Sequence, residues 1–155
     1  RHTIFVHGGS FVLIDESYNA SPVSVTAAIE VLGQGRVLEG GRRIAVLGDM
    51  LELGDESERL HTALAENLAA GQIDLVFTAG QYTAALAEAL PRKMRGSHTS
   101  MTQKLAPIVT AAVRPGDVVM VKSSLGSRTG LIVEALLGLG CDIDEDDPRC
   151  AVNGE

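Results

Sequence analysis

An α/β fold with a mostly parallel sheet, helices on both of its faces and an antiparallel edge hairpin is what this 155-residue sequence predicts. Three observations carry the prediction. Short apolar runs of strand length alternate with longer stretches of helical period. Ile44–Leu47 and Val118–Val121 are apolar throughout, as expected of strands covered on both faces. Gly8-Gly9 separates the runs Thr3–Val6 and Phe11–Ile14, the pattern of a hairpin turn.

Each element has its own local signal. Ser21-Pro22 supplies a helix cap and a first helical residue whose φ is already set. Val25, Ala28, Ile29 and Leu32 follow at helical spacing, and Gly33 and Gly35 end that helix. Ile44–Leu47 is the next strand. Asp55-x-x-Glu58 reads as a capping pair ahead of Leu60, Leu64 and Leu68. Leu75–Thr78 is a strand, and Tyr82–Leu90 a short helix closed by Pro91. A weak strand is expected near Gly96–Thr99. Ser100-x-x-Gln103 is positioned to cap a helix running to about Val113. Pro115-Gly116-Asp117 turns into the strand Val118–Val121, and Leu131–Leu139 is the final helix, stopped by Gly138 and Gly140. There is no internal repeat and no linker before about residue 140. Residues 1–140 are therefore expected to form one domain, and residues 141–155 an acidic, disordered tail.

The charge is unevenly placed. The net formal charge is −7, and residues 141–155 hold six acids against one base, which leaves the rest of the chain near neutral. A nucleic-acid binder would show a basic face and stacking aromatics. Aromatics make up only 3% of this chain, so no nucleic-acid partner is expected. No apolar run approaches the roughly 18 residues of a membrane span, and Arg1-His2-Thr3-Ile4 has no signal-peptide layout, so a cytoplasmic protein is expected. Cys141 and Cys150 are too far apart for a CxxC motif and read as free thiols.

In an open α/β sheet, ligands bind beyond the carboxyl ends of the strands. Here those ends lead into Asp15–Asn19, Gly48–Gly54, Ala79–Gln81 and Lys122–Arg128, which bring acids, amides, hydroxyls, a lysine and an arginine to one rim. Lys122, followed by a Ser/Gly loop and a helix start, is a candidate for holding an anion; the alternative is an ion pair with Asp49. Arg128 is suited to a bidentate grip on a carboxylate or phosphate, or else is simply solvated. Asp15 and Glu16 are adjacent in a strand and point to opposite faces, so they cannot act together on one atom; either could accept from a ribose hydroxyl. Asn19 suits a turn as well as a ligand contact. Asp49 and Glu52 lie in a glycine-bounded loop that reads as capping the helix after it. His61, one position after Leu60, reads as a packed or half-exposed histidine rather than a catalyst. His2, His7 and His98 form no metal spacing. G-x-x-x-x-G-K-[ST], G-x-S-x-G and a G-x-G-x-x-G after the first strand do not occur. The residues alone give a nucleotide- or carboxylate-binding domain without a complete active site.

Three ordered motifs carry a more specific resemblance. Leu13-Ile14-Asp15-Glu16-Ser17-Tyr18-Asn19-Ala20-Ser21-Pro22 resembles the D-D-S-Y-N-A-N-P signature of the Mur ligases that add D-alanyl-D-alanine. Ile44–Gly54 is similar to their V-L-G-D-M-x-E-L-G segment, and His61 falls where that family has a histidine. Val121–Arg128 is similar to their V-K-G-S-x-(G)-S-R loop. The likeness runs from about Thr3 to Leu139.

The resemblance implies the Rossmann-like C-terminal domain of such an enzyme. In the intact family, ATP with Mg2+ phosphorylates the terminal carboxylate of UDP-N-acetylmuramoyl-tripeptide (UDP-MurNAc-tripeptide). The amine of D-alanyl-D-alanine then attacks, giving the pentapeptide precursor of peptidoglycan. The UDP-sugar-peptide site belongs to the family's N-terminal domain and the P-loop and magnesium ligands to its central domain; these are the implied partners of this chain, which is expected to be inactive alone. By position, the resemblance implies dipeptide contacts at Asn19, Lys122, Ser124 and Arg128, and ATP-ribose contacts at Glu16 with Asp15. Asp49, Glu52 and His61 fall at loop or hinge positions, and no catalytic residue or metal ligand is implied here. Glu16 stands where Asp is usual, Ser21 where Asn is usual and Ser123 where Gly is usual. At the last, Ser would cost about 1 kcal/mol if the backbone needed φ > 0. Two other readings stay open: a non-catalytic α/β binding module, and a related ligase with another amino-acid or folylpolyglutamate-type acceptor.

Overall fold

The computed structural model describes residues 1–140; the acidic segment with Cys141 and Cys150 lies outside the described residues. Two strands open the chain, β1 (His2–Val6) and β2 (Gly9–Glu16), paired antiparallel with Val6 opposite Gly9. Gly8 and Gly9 take φ of +89° and +152°, which the tight turn requires and glycine supplies. β2 runs two residues further at each end than the apolar run that predicts it. The reason is pairing on both edges: β1 on one side and β6 (Val118–Lys122) on the other, from Val12 opposite Val118 to Glu16 opposite Lys122. Asp15 and Glu16 are therefore strand residues.

The remaining strands are β3 (Arg43–Gly48), β4 (Leu75–Ala79) and β5 (Arg95–Thr99), and the sheet order is β1-β2-β6-β3-β4-β5. Every pair except β1–β2 is parallel. The chain moves outward from β2 to β5 and then returns to insert β6 between β2 and β3. Right-handed crossovers demand that a reversal of direction change the face of the sheet. Accordingly α1 (Pro22–Gln34), α2 (Ser57–Ala70) and α3 (Thr83–Ala89) cover one face, packing Ile29, Leu32, Leu64, Leu68 and Leu86 on Ala45, Leu47 and Met120. α4 (Thr102–Ala112) and α5 (Gly130–Leu137) cover the other, packing Leu105, Val109, Ile132 and Leu136 on Ile44, Val46, Val119 and Val121.

Caps divide between those that follow the local pattern and those that do not. Ser21 caps α1 in a reciprocal box: its hydroxyl accepts from Ser24 N–H at 3.2 Å, and Ser24 Oγ accepts from Ser21 N–H at 2.8 Å. The expected Asp55/Glu58 pair makes no cap. A 3-10 turn over Gly54–Glu56 runs directly into α2, so no extended cap residue precedes it; Ser57 Oγ donates back to the Gly54 carbonyl at 2.8 Å instead. Ser100 and Gln103 likewise make no box, because α4 starts after Met101, which provides no side-chain cap. At the amino-terminal edge of the sheet, buried Asp117 accepts from Arg42 Nε at 3.1 Å, Arg42 Nη2 at 2.7 Å and Arg114 N–H at 2.8 Å. The hydrogen bond to Asp117 raises the Arg42 guanidinium above its ordinary value, against the burial that lowers it.

Candidate functional site

Asp49 joins three of the loops at the carboxyl ends of the strands. Immediately after β3, its carboxylate accepts N–H bonds from Gln81 (2.9 Å), Tyr82 (3.1 Å) and Thr83 (2.9 Å). These amides lead into α3. The helix Asp49 caps is thus the one beyond the neighbouring strand, not the one that follows it in sequence. The Asp49 carbonyl accepts from Ser124 N–H at 3.2 Å and from the Ser127 hydroxyl at 2.9 Å. Ser124 Oγ in turn accepts from Leu51 N–H at 3.0 Å and donates to the Ala20 carbonyl at 3.4 Å. Thr102 Oγ1, at the start of α4, donates to the Ser127 carbonyl at 2.7 Å.

Over the ends of β3, β4 and β6 lies a cavity of about 270 Å³ that includes Asp49, Leu51, Gln81, Met101 and Arg128 in its lining. Arg128 ends a 3-10 turn over Leu125–Ser127 in the left-handed conformation, φ 56°. Its guanidinium is exposed and has no partner among the described residues. The first turn of α4, whose amides have no side-chain cap, faces the same cavity. A free guanidinium and the positive end of a helix on one cavity favour a carboxylate-sized anion.

Lys122 stands elsewhere. Its buried ammonium donates to the Asn19 carbonyl at 3.0 Å and pairs with Glu16 at 3.1 Å. It does not pair with Asp49, whose carboxylate is satisfied by the amides before α3. The Glu16–Lys122 pair borders a second cavity of about 230 Å³ between α1 and β2–β6, walled by Ile14, Ala28, Val31 and Met120. The structure thus brings Glu16, Asn19 and Lys122 together and sets Arg128 apart from them, on the first cavity. Ser124 bridges the two groups through the Ala20 carbonyl and the Leu51 amide.

The other expected site residues are also placed. Asp15 accepts from Ser17 N–H (3.0 Å) and Ser17 Oγ (2.7 Å), closing a local turn. Glu52 is exposed at φ 65°. His61 is fully buried: its Nε2 accepts from Met50 N–H at 2.9 Å, its Nδ1 donates to the Ser57 carbonyl at 2.5 Å, and its ring stacks on Tyr82 with centroids 5.7 Å apart. It holds the loop after β3 from beneath. Ser123 does not take φ > 0, so the penalty attached to replacing glycine does not arise; its Oγ shares a 2.5 Å bond with Thr129 Oγ1. The tight approach falls on Gly48, where a Cβ would lie 2.7 Å from that of Ser123. Gln81 and Ser127 fall in loops that the sequence places on the rim without giving either a role, whereas Met101 and Thr102, just past the end of β5, lie outside those loops.

Among the described residues no group of three or more His, Cys, Asp or Glu is placed to hold a metal ion. Among them too, no helix is long and apolar enough to cross a membrane.

With this geometry established, comparison with known proteins is specific. Residues 3–125 match the family model described as Mur ligase, glutamate ligase domain. A UDP-N-acetylmuramoyl-tripeptide–D-alanyl-D-alanine ligase of Bacillus subtilis is 38% identical over 129 residues, covering 81% of this chain and 28% of the relative. The crystal structure of a MurF ligase from Thermotoga maritima in complex with ADP aligns with a TM-score of 0.68 at 28% identity, over 89% of this chain and 30% of that one. A MurF structure from Acinetobacter baumannii gives 0.71 at 25%, over 88% and 30%. The chain spans less than a third of the length of these relatives. The matched residues run from β1 to the end of β6 and include α1 to α4, and the chain belongs to the Mur ligase family.

Proposed function

We propose that this chain is the C-terminal, acceptor-holding part of an ATP-dependent amide ligase of peptidoglycan precursor synthesis. The whole enzyme joins D-alanyl-D-alanine to UDP-N-acetylmuramoyl-tripeptide. The observation that carries the reading is the cavity between Arg128 and the first turn of α4, which suits the carboxylate of a small dipeptide. Arg128 grips that carboxylate. Ser124 and Asn19 set the neighbouring edge, and Lys122 acts by holding the Asn19 loop. Glu16, one-third exposed beside Lys122, is the acid available to a ribose hydroxyl, while Asp15 is occupied by Ser17. Bound ATP supplies the phosphoryl group that activates the tripeptide carboxylate. The sequence carries no G-x-x-x-x-G-K-[ST] phosphate loop, which supports assigning that chemistry to other domains of the protein and the orienting of the amine to the present chain.

The test uses the whole protein. A hydrogen bond to a charged group is worth about 1.5–3 kcal/mol, so Arg128→Ala should raise the KM for D-alanyl-D-alanine roughly 10- to 100-fold. The KM for ATP should stay unchanged. Equal effects on both substrates, or none, would remove Arg128 from the dipeptide site.

A further inference from the structure

We infer that Asp49 is a positioning residue: it fixes the two walls of the Arg128 cavity relative to each other, and so sets how well the dipeptide fits. This rests on the reading above. Asp49 is 7% exposed, and a buried carboxylate without partners is strongly disfavoured. Here it receives three amide hydrogen bonds, and such charge-assisted bonds are about twice as strong as neutral ones. The carboxylate therefore holds one wall, the turn into α3. The carbonyl of the same residue holds the other, through Ser124 N–H and Ser127 Oγ, and Ser127 is the neighbour of Arg128.

The chain is built tightly around this contact. Gly80 has φ +128°, and a Cβ there would collide with the Asp49 carboxylate, so the backbone passes directly over it. The Ser127 turn has a second anchor in Thr102, which ties it to the start of α4. Because its oxygens are occupied by amides, Asp49 acts through geometry. Loosening it lets Arg128 and the start of α4 drift relative to Gln81 while leaving the chemistry of the ligand untouched.

The experiment compares Asp49→Ala and Asp49→Asn in the whole protein, with Arg128→Ala alongside. Losing bonds of this kind should raise the dipeptide KM of Asp49→Ala about tenfold or more, with kcat within about threefold and the ATP KM unchanged. Asp49→Asn keeps the volume and one acceptor, and should fall between Ala and the parent. Hydrogen exchange at Gln81, Tyr82 and Thr83 should speed up in both variants while the amides of β3 and β6 keep their protection. A dipeptide KM within twofold of the parent in folded Asp49→Ala, or unchanged exchange at those three amides, overturns the proposal. If Asp49→Ala does not fold, the exchange and KM of Asp49→Asn decide the matter by the same criteria. If Arg128→Ala leaves the dipeptide KM unmoved, the dipeptide reading fails by itself, and the exchange data alone decide whether Asp49 orders the loops.

Discussion

Residues of one sequence motif divide here between contact and support. Lys122 and Arg128 are six positions apart, yet Lys122 is buried under its own partners and Arg128 lines a cavity with no partner among the described residues. Lys122→Ala would leave the Asn19 carbonyl and the partly exposed Glu16 without their cation. Since Glu16 is screened by solvent, the expected loss is about 1–2 kcal/mol, read from the denaturant midpoint. Thr83 offers the opposite case. Its backbone N–H is bound to Asp49, but its hydroxyl is fully buried and has no hydrogen-bond partner among the described residues. Valine keeps the shape and removes the orphaned group. Thr83→Val should therefore stabilise the chain by about 1 kcal/mol, seen as a higher midpoint in the same titration. A lower midpoint would show that the hydroxyl has a partner.

Elements are fixed by local chemistry at some ends and by neighbours at others. α1 has its start written into Ser21-Pro22 and Ser24, and Ser21→Ala should cost about 1 kcal/mol by chemical denaturation. Near its other end, Gly33 packs against Gly71, the residue that closes α2. A Cβ on Gly33 would lie 2.6 Å from the carbonyl oxygen of Gly71 and 2.9 Å from its Cα, both backbone atoms that cannot step aside. Alanine is ordinarily the better helix former by about 1 kcal/mol. At Gly33 the clash should win, with a net loss of about 1–2 kcal/mol. A stabilised Gly33→Ala would show that α1 and α2 are free to separate. The starts of α2 and α4 show the limit of motif reading: Asp55, Glu58, Ser100 and Gln103 are good capping types, but the preceding backbone does not present them to the helix ends.

For the molecule as a whole, the return of β6 into the middle of the sheet matters most. It places the Lys122–Arg128 loop between the loops that follow β2 and β3, so that Ser124 reaches both Leu51 and Ala20. The polar rim is thereby assembled, while among the described residues no three or more His, Cys, Asp or Glu cluster as a metal site. The expected outcome is that the 155-residue chain alone forms no pentapeptide from ATP, UDP-N-acetylmuramoyl-tripeptide and D-alanyl-D-alanine. ATP-dependent product from this chain by itself would contradict the division of labour proposed above.

The sequence by itself determined the alternation of strands and helices, the apolar faces of α1 and α2, and four of the loops on the carboxyl rim. These depend on apolar period, glycine turns and proline, which act over a few residues. Only the tertiary structure decided partners: Lys122 with Glu16 rather than Asp49, Asp49 with the amides before α3 rather than with α2, and Arg128 on a separate cavity from Lys122. The physical reason is strand order. A parallel sheet with an inserted last strand makes neighbours of loops more than seventy residues apart, and a side chain bonds to whatever the crossovers bring within 3 Å, which no local pattern records.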